Sequence, residues 1–249
     1  MKRIILFALP CLLLLGACKD QDDLQPRETG YILAGETGLG IRTMTFPNGV
    51  QINGASISNN SYEVILDSSL NKAVIFGSSE FSGSSSGVTY NHATCSVRAS
   101  DLAIEIAGVE VKDTLWKCEE WNVDSTEQHL YYYNRAAGTF CQNPSSLEAV
   151  LTELPPEAYA SGDSLGSNLD WRSETFDIAY FHSDYTVTSD GQRTYINENK
   201  RRYDNWLGIG QKYIAFRWKS TGGIWKYGYV LMEAMGHSSV KIYGFGVEG

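Results

Sequence analysis

Two carboxylates held at a defined separation can cleave a glycosidic bond. Among the close pairs are Glu174 with Asp177 and Glu119 with Glu120. In strands, the members of each pair alternate to opposite faces, so a working pair has to form across strands. Gly83-Ser84-Ser85-Ser86-Gly87 matches the G-x-S-x-G pattern of a nucleophile elbow, which needs a strand before it and a helix after it. The following Val88-Thr89-Tyr90 has β character, so the segment reads as a Ser-rich loop. His92, His129, His182 and His237 are far apart in sequence, and each is expected to be satisfied singly unless the fold gathers them. There is no C-x-x-C or H-x-x-x-H spacing and no D-x-[DN]-x-[DN]-G loop, so no metal is expected. Gly35-x-x-Gly38-x-Gly40 has the wrong order for a dinucleotide cradle, and no cofactor is expected. Trp116, Trp121, Tyr131 and Tyr133 cluster in sequence. An exposed strip of such rings could stack on sugars. The same residues are also good fillers of a β core, which is the weightier expectation.

The elements that must position these groups are mostly short strands. Ile41 to Phe46 alternates, Pro47-Asn48-Gly49 reads as a hairpin turn, and Val50 to Ile52 resumes. Tyr62 to Leu66, Ala73 to Phe76, Val88 to Arg98, Leu102 to Val111, Thr114 to Cys118 and His129 to Asn134 follow as strands, and Gly77 to Gly87 reads as a flexible Gly/Ser stretch. Gly108 marks a bulge. Ser145-Ser146-Leu147-Glu148 fits a capping box, with Leu147, Val150, Leu151 and Leu154 at helical spacing and Pro155-Pro156 as the stop. That predicts one short helix. Trp171 to Val187 returns to β, with Phe176, Ile178, Tyr180 and His182 on one side. Ser189 to Gln192 turns, and Thr194 to Asn197 pairs back. The clearest alternation lies in Tyr213 to Trp218, Ile224 to Met232 and Val240 to Val247. The expected fold is all-β: an antiparallel, jelly-roll-like β-sandwich with one short helix, over residues 31–249 as one domain.

The run YIAFRW…GGIWKYGYVLM resembles the C-terminal strands of secreted bacterial β-sandwich domains, with Tyr229 where that pattern has Trp. This resemblance speaks to fold and implies no activity.

Compartment is written in the first residues. Lys2 and Arg3 precede an apolar run from Ile4 to Leu15, which is too short for an ordinary membrane-spanning helix. The run ends in Leu15-Gly16-Ala17-Cys18, which resembles the lipobox of bacterial lipoproteins. The resemblance implies cleavage after residue 17 and lipidation of Cys18. Lys19-Asp20-Gln21-Asp22-Asp23 is similar to the export signal of Bacteroidota-type surface lipoproteins. The expected organisation is a lipoprotein signal peptide over 1–17, an acidic tether over 18–30 and the β-sandwich domain, held by its lipid anchor at the outer membrane and exposed on the surface. In the same setting Asp113-Thr114-Leu115, Asp124-Ser125-Thr126 and Asp163-Ser164-Leu165 resemble an O-glycosylation motif, which would modify Thr114, Ser125 and Ser164.

An exported chain meets an oxidising environment, so one disulfide among Cys95, Cys118 and Cys141 is expected. All three pairings stay open, as does a fully reduced set. The preferred pairing is Cys118 with Cys141, which flank one local unit.

The chain has 249 residues, 20 Lys and Arg against 29 Asp and Glu, and 43% hydrophobic residues. That is the composition of a globular protein. The net charge of −9, or −11 once Lys2 and Arg3 leave with the signal peptide, argues against a nucleic-acid partner. The expected role is non-catalytic binding or scaffolding of a glycan or an envelope protein. The rival is a surface polysaccharide hydrolase, which a cleft holding two facing carboxylates would favour.

Overall fold

A computed structural model describes residues 30–38, 40–55, 60–122, 124–134, 137–138 and 145–249, with side chains for all of these except 145–151. Among the described residues sixteen strands occur: β1 Tyr31–Leu33, β2 Ile41–Asn53, β3 Ser61–Asp67, β4 Lys72–Ser85, β5 Val88–Ala99, β6 Ile104–Ala107, β7 Val111–Trp121, β8 Glu127–Asn134, β9 Ser145–Glu153, β10 Ser164–Gly166, β11 Trp171–Arg172, β12 Phe176–Ser189, β13 Thr194–Tyr203, β14 Lys212–Lys219, β15 Trp225–Gly236 and β16 Ser239–Glu248. The all-β sandwich expected from the alternation is the fold found. One sheet has the order β11-β6-β14-β15-β16-β2 and the other β3-β4-β5-β12-β13-β8-β7-β9. Every pairing in the two sheets is antiparallel except β13 with β8, which is parallel.

Period-2 alternation builds the core between the sheets. The six-stranded sheet contributes Ile104, Ile106, Ile214, Phe216, Trp218, Val230 and Met232, and the eight-stranded sheet contributes Val64, Val74, Phe76, Cys95, Val97, Phe176 and Ile178. Gly228 on β15 lets Phe216 lie flat against the backbone: a Cβ there would sit 2.3 Å from the Phe216 ring and 2.9 Å from the Gly246 carbonyl oxygen. The far side of the six-stranded sheet is covered. β1 and β10 form a small ribbon whose Ile32 and Leu165 pack with Tyr159, Tyr227 and Tyr229. Beside them the Arg217 guanidinium lies 4.9 Å from the Trp171 ring centre and 4.2 Å from that of Trp225. Its Nε donates to Glu105 at 2.6 Å.

Three local readings are corrected. Residues 145–153 form strand β9, not a helix: Thr114 pairs with Val150 and Val111 with Glu153. Leu147, Val150, Leu151 and Leu154 suit a helix, but a helix of so few residues is marginal by itself. Pairing with β7 supplies backbone hydrogen bonds instead, with one irregularity between Leu115 and Lys117. Pro47-Asn48-Gly49 is not a hairpin turn. It is a bulge inside β2, where the register jumps from Val50 opposite Ile242 to Thr45 opposite Gly244. Gly49 takes φ 67°, and an edge strand tolerates the proline. The Gly/Ser stretch from 77 is strand: β4 pairs with β5 from Gly77 opposite Ser96 to Ser85 opposite Val88. Ser86 and Gly87, both at positive φ, close a two-residue hairpin. Backbone hydrogen bonds hold that ribbon, and its composition does not reveal them.

Candidate functional site

The outer face of the eight-stranded sheet carries the polar surface of interest. On β5, Cys95 and Val97 point to the core, so His92, Thr94 and Ser96 point outward. On β12 the register against β5 shifts between Asp177 and Ala179: Asp177 sits opposite Ser96, and Tyr180 opposite Thr94. This bulge brings Asp177, Tyr180 and His182 to the outer face, while Phe176 and Ile178 enter the core. The expectation that Phe176, Ile178, Tyr180 and His182 share one side is therefore corrected, because the extra residue reverses the alternation.

Cross-strand pairing then lines up two rows. Phe81, His92, His182 and Arg201 stand side by side across β4, β5, β12 and β13. Beside them run Thr94, Tyr180 and Tyr203. Phe81 is 53% exposed; its ring centre is 4.9 Å from that of His92. His92 and His182 meet edge to face at 6.0 Å. Tyr180 and Tyr203 stack with 12° between planes.

His92, Thr94, Thr152, Glu153, Asp177, Tyr180, His182 and Arg201 line a cleft of about 420 Å³, within the usual range for a small-molecule site. Glu153, at the end of β9, enters it from across the sheet, and its Oε1 accepts a hydrogen bond from the Tyr180 hydroxyl at 2.9 Å. Burial pushes the Glu153 carboxyl above the ordinary range, as do the negative charges of Asp177 and Asp113; the Tyr180 hydrogen bond and the Arg201 cation oppose that rise. Burial also raises the Asp177 carboxyl, and no hydrogen bond or cation compensates. Burial, then the charge of His182, lowers the His92 imidazole. His182 Nε2 lies 3.0 Å from Asp184. Burial and Glu153 raise the Tyr180 phenol, which stays protonated.

Three buried polar atoms among the described residues lack a hydrogen-bond partner: Asn199 Oδ1, Arg201 Nε and the Tyr203 hydroxyl. They occupy alternate positions of β13, on the face that carries the cleft. Burial raises the Tyr203 phenol, as do the charges of Glu153 and Asp177, while Asn205 opposes that rise. A buried donor or acceptor left without a partner is costly.

The residues singled out from sequence are placed differently. Trp116 and Tyr131 pack around the buried Cys118 and Tyr133, so these three rings are not an open strip. Trp121 is on the opposite face of β7, 41% exposed, with the Arg193 guanidinium 5.4 Å from its ring centre. Cys118 is disulfide-bonded, and Cys95 is a buried free thiol pushed up to about 12 by burial. Cys141 and Cys18 lie outside the described residues, as does the whole leader and tether up to residue 29. Thr114 is within β7, Ser125 is exposed at positive φ in the β7–β8 turn, and Ser164 is exposed at the start of β10. His129 bonds Glu127 and, at 3.1 Å, the Tyr131 hydroxyl. His237 bonds Asp204 at 2.7 Å.

Sequence reasoning missed Glu153 and Arg201. Glu153 was hidden in the supposed helix, and Arg201 lies past the point where β13 was expected to end. No group of three or more His, Cys, Asp or Glu suited to a metal occurs among the described residues. No family model matches this sequence, and no curated protein or solved structure is significantly similar to it.

Proposed function

We propose that this chain is a lipid-anchored envelope protein, tethered through Cys18 at the outer membrane and exposed on the surface, whose sandwich head binds a glycan in the cleft on its eight-stranded sheet. One observation carries the binding reading. The cleft lined by His92, Thr94, Glu153, Asp177, His182 and Arg201 shares its sheet face with the exposed Phe81 ring, which lies against His92. A sugar ring offers what both need: C–H groups for an aromatic face and hydroxyls that donate and accept. A protein partner would call for a broad apolar patch. The cleft is small and mostly polar.

The anchor rests on the residues of the leader. One chain holds a protein weakly, and two or three hold it stably. Radiolabelled palmitate fed to cells is expected to enter the wild-type chain and not Cys18→Ala. For the head, a glycan array followed by calorimetry is expected to find a ligand whose affinity falls at least tenfold in Arg201→Ala and in Phe81→Ala. A full array without a signal sinks the binding reading.

A further inference from the structure

We propose that the loop tips carrying Leu102 and Ile224 dock one end of the sandwich on the lipid surface of the bilayer that holds Cys18. This rests on the anchor reading above and adds an orientation to it: the head lies against the membrane on a defined end.

Leu102 and Ile224 are 84% and 70% exposed, more than any other large hydrophobic among the described residues. They belong to neighbouring turns: Leu102 precedes β6, and Ile224 lies between β14 and β15. Lys219 joins the two turns. Its amide donates to the Ala103 carbonyl at 3.3 Å, and it stands opposite Trp225 in the register. Lys72, at the start of β4, donates through Nζ to the Lys219 carbonyl at 2.5 Å, so the β3–β4 turn is tied to the same end. Behind the tips stands a row of alternating cations and rings. Lys219 Nζ lies 4.9 Å from the Trp225 ring centre, and the row continues from Trp225 through Arg217 to Trp171. Apolar tips backed by indole rings and a lysine suit the boundary between acyl chains and headgroups. The tips enter the apolar layer, Trp favours the boundary, and Lys reaches back to headgroup phosphate.

The chain enters the head on the same side. Gly30 leads into β1, where Tyr31 pairs with Gly166. The Gly166 carbonyl accepts from the Trp171 indole at 3.0 Å, which sets this entry beside the row of Trp171, Arg217 and Trp225. From there β1 runs away from the tips, because Gly35 abuts the hydroxyl of Tyr213, which sits at the opposite end of β14 from Lys219. Residues 19–29 separate Cys18 from Gly30, and a segment of that length spans at most about 40 Å. The lipid on Cys18 therefore keeps Gly30 within that distance of the bilayer. Contact between the tips and the lipid becomes intramolecular, at a raised effective concentration, so a patch of two apolar side chains is enough.

The test uses the full lipid-bearing chain in vesicles of phosphatidylcholine and phosphatidylethanolamine, with and without bromine on the acyl chains. Bromine quenches tryptophan emission on contact, so emission should fall in the brominated vesicles. A carboxylate resists the apolar layer, so Leu102→Asp combined with Ile224→Asp should reduce that fall at least about twofold. Trp225→Phe should reduce it as well, by removing the ring nearest the lipid. Both aspartates stand at exposed positions, and the double variant should melt as the wild type does. Met235→Asp, exposed near the far end of β15, should leave the fall unchanged. No fall in the wild-type chain, or an equal fall in the double variant, overturns the proposal, and palmitate found on Cys18 then leaves the anchor reading standing. If the double substitution instead splits a dimer of the detergent-solubilised chain, the tips join two copies and the proposal fails. Absence of palmitate from Cys18 removes the anchor reading and this proposal with it.

Discussion

The hydroxyl of Tyr180 donates to Glu153 over 2.9 Å, although β13, β8 and β7 lie between their strands in the sheet order. A flat sheet would keep β12 and β9 apart at about 4.8 Å per strand. The bond therefore marks where the sheet's far edge returns over its middle and makes a concave surface. Tyr180→Phe leaves a buried carboxylate oxygen unpaired. The expected cost is roughly 1–3 kcal/mol, together with a further rise in the Glu153 pKa. Thermal unfolding and carbon-detected NMR titration of the carboxylates check both.

Asp177 is held against its own charge, so its removal should strengthen the fold. Its folded-state pKa is raised by burial. Stability linked to it is therefore greatest below the unfolded value, about 3.9, and is lost as pH rises through the folded value. Asp177→Asn is expected to melt higher than wild type at pH 7, and the difference should vanish near pH 3. Melting curves between those limits measure it. An equal or lower melting temperature at pH 7 contradicts the stated burial cost.

Cysteine chemistry gives a third test. Cys118 is disulfide-bonded, and the partner expected from sequence is Cys141. Non-reducing peptide mapping should yield one linked peptide carrying Cys118 and Cys141. Cys95, fully buried and with its thiol pushed up to about 12, should resist alkylation until the chain unfolds. Replacing Cys118 by Ser should cost about 2–5 kcal/mol.

Packing around Gly228 gives a fourth. The ring it accommodates belongs to Phe216, which is wholly buried and has no room to swing. Gly228→Ala should cost roughly 1–3 kcal/mol by overpacking, seen as a lower urea midpoint with an unchanged slope.

The sandwich was legible because its core strands alternate cleanly: Ile214, Phe216 and Trp218 share a face in the sequence and do so in the fold. The candidate site was much less legible. His92 and His182 are ninety residues apart and become neighbours only through the register of β5 with β12. Asp177 and Tyr180 share a face because of one inserted residue, which alternation cannot reveal. Glu153 sat in a segment whose apolar spacing serves a helix or a strand equally, and only the neighbouring β7 settles that ambiguity. Charge and cap signals are local, whereas a site built across strands depends on register.

The parallel pairing of β13 with β8 governs how this chain can assemble. Ribosomes release β8 some sixty residues before its neighbour β13, and until then the unit it forms with β7 keeps a bare rim of unsatisfied amides. Antiparallel hairpins such as β4–β5 close locally and early, but that rim waits for a distant segment, and the loop closed in between slows the last act of folding. Chains cut short before residue 194 should therefore be sticky, joining rim to rim into aggregates, while the whole chain buries the same rim inside its widest sheet.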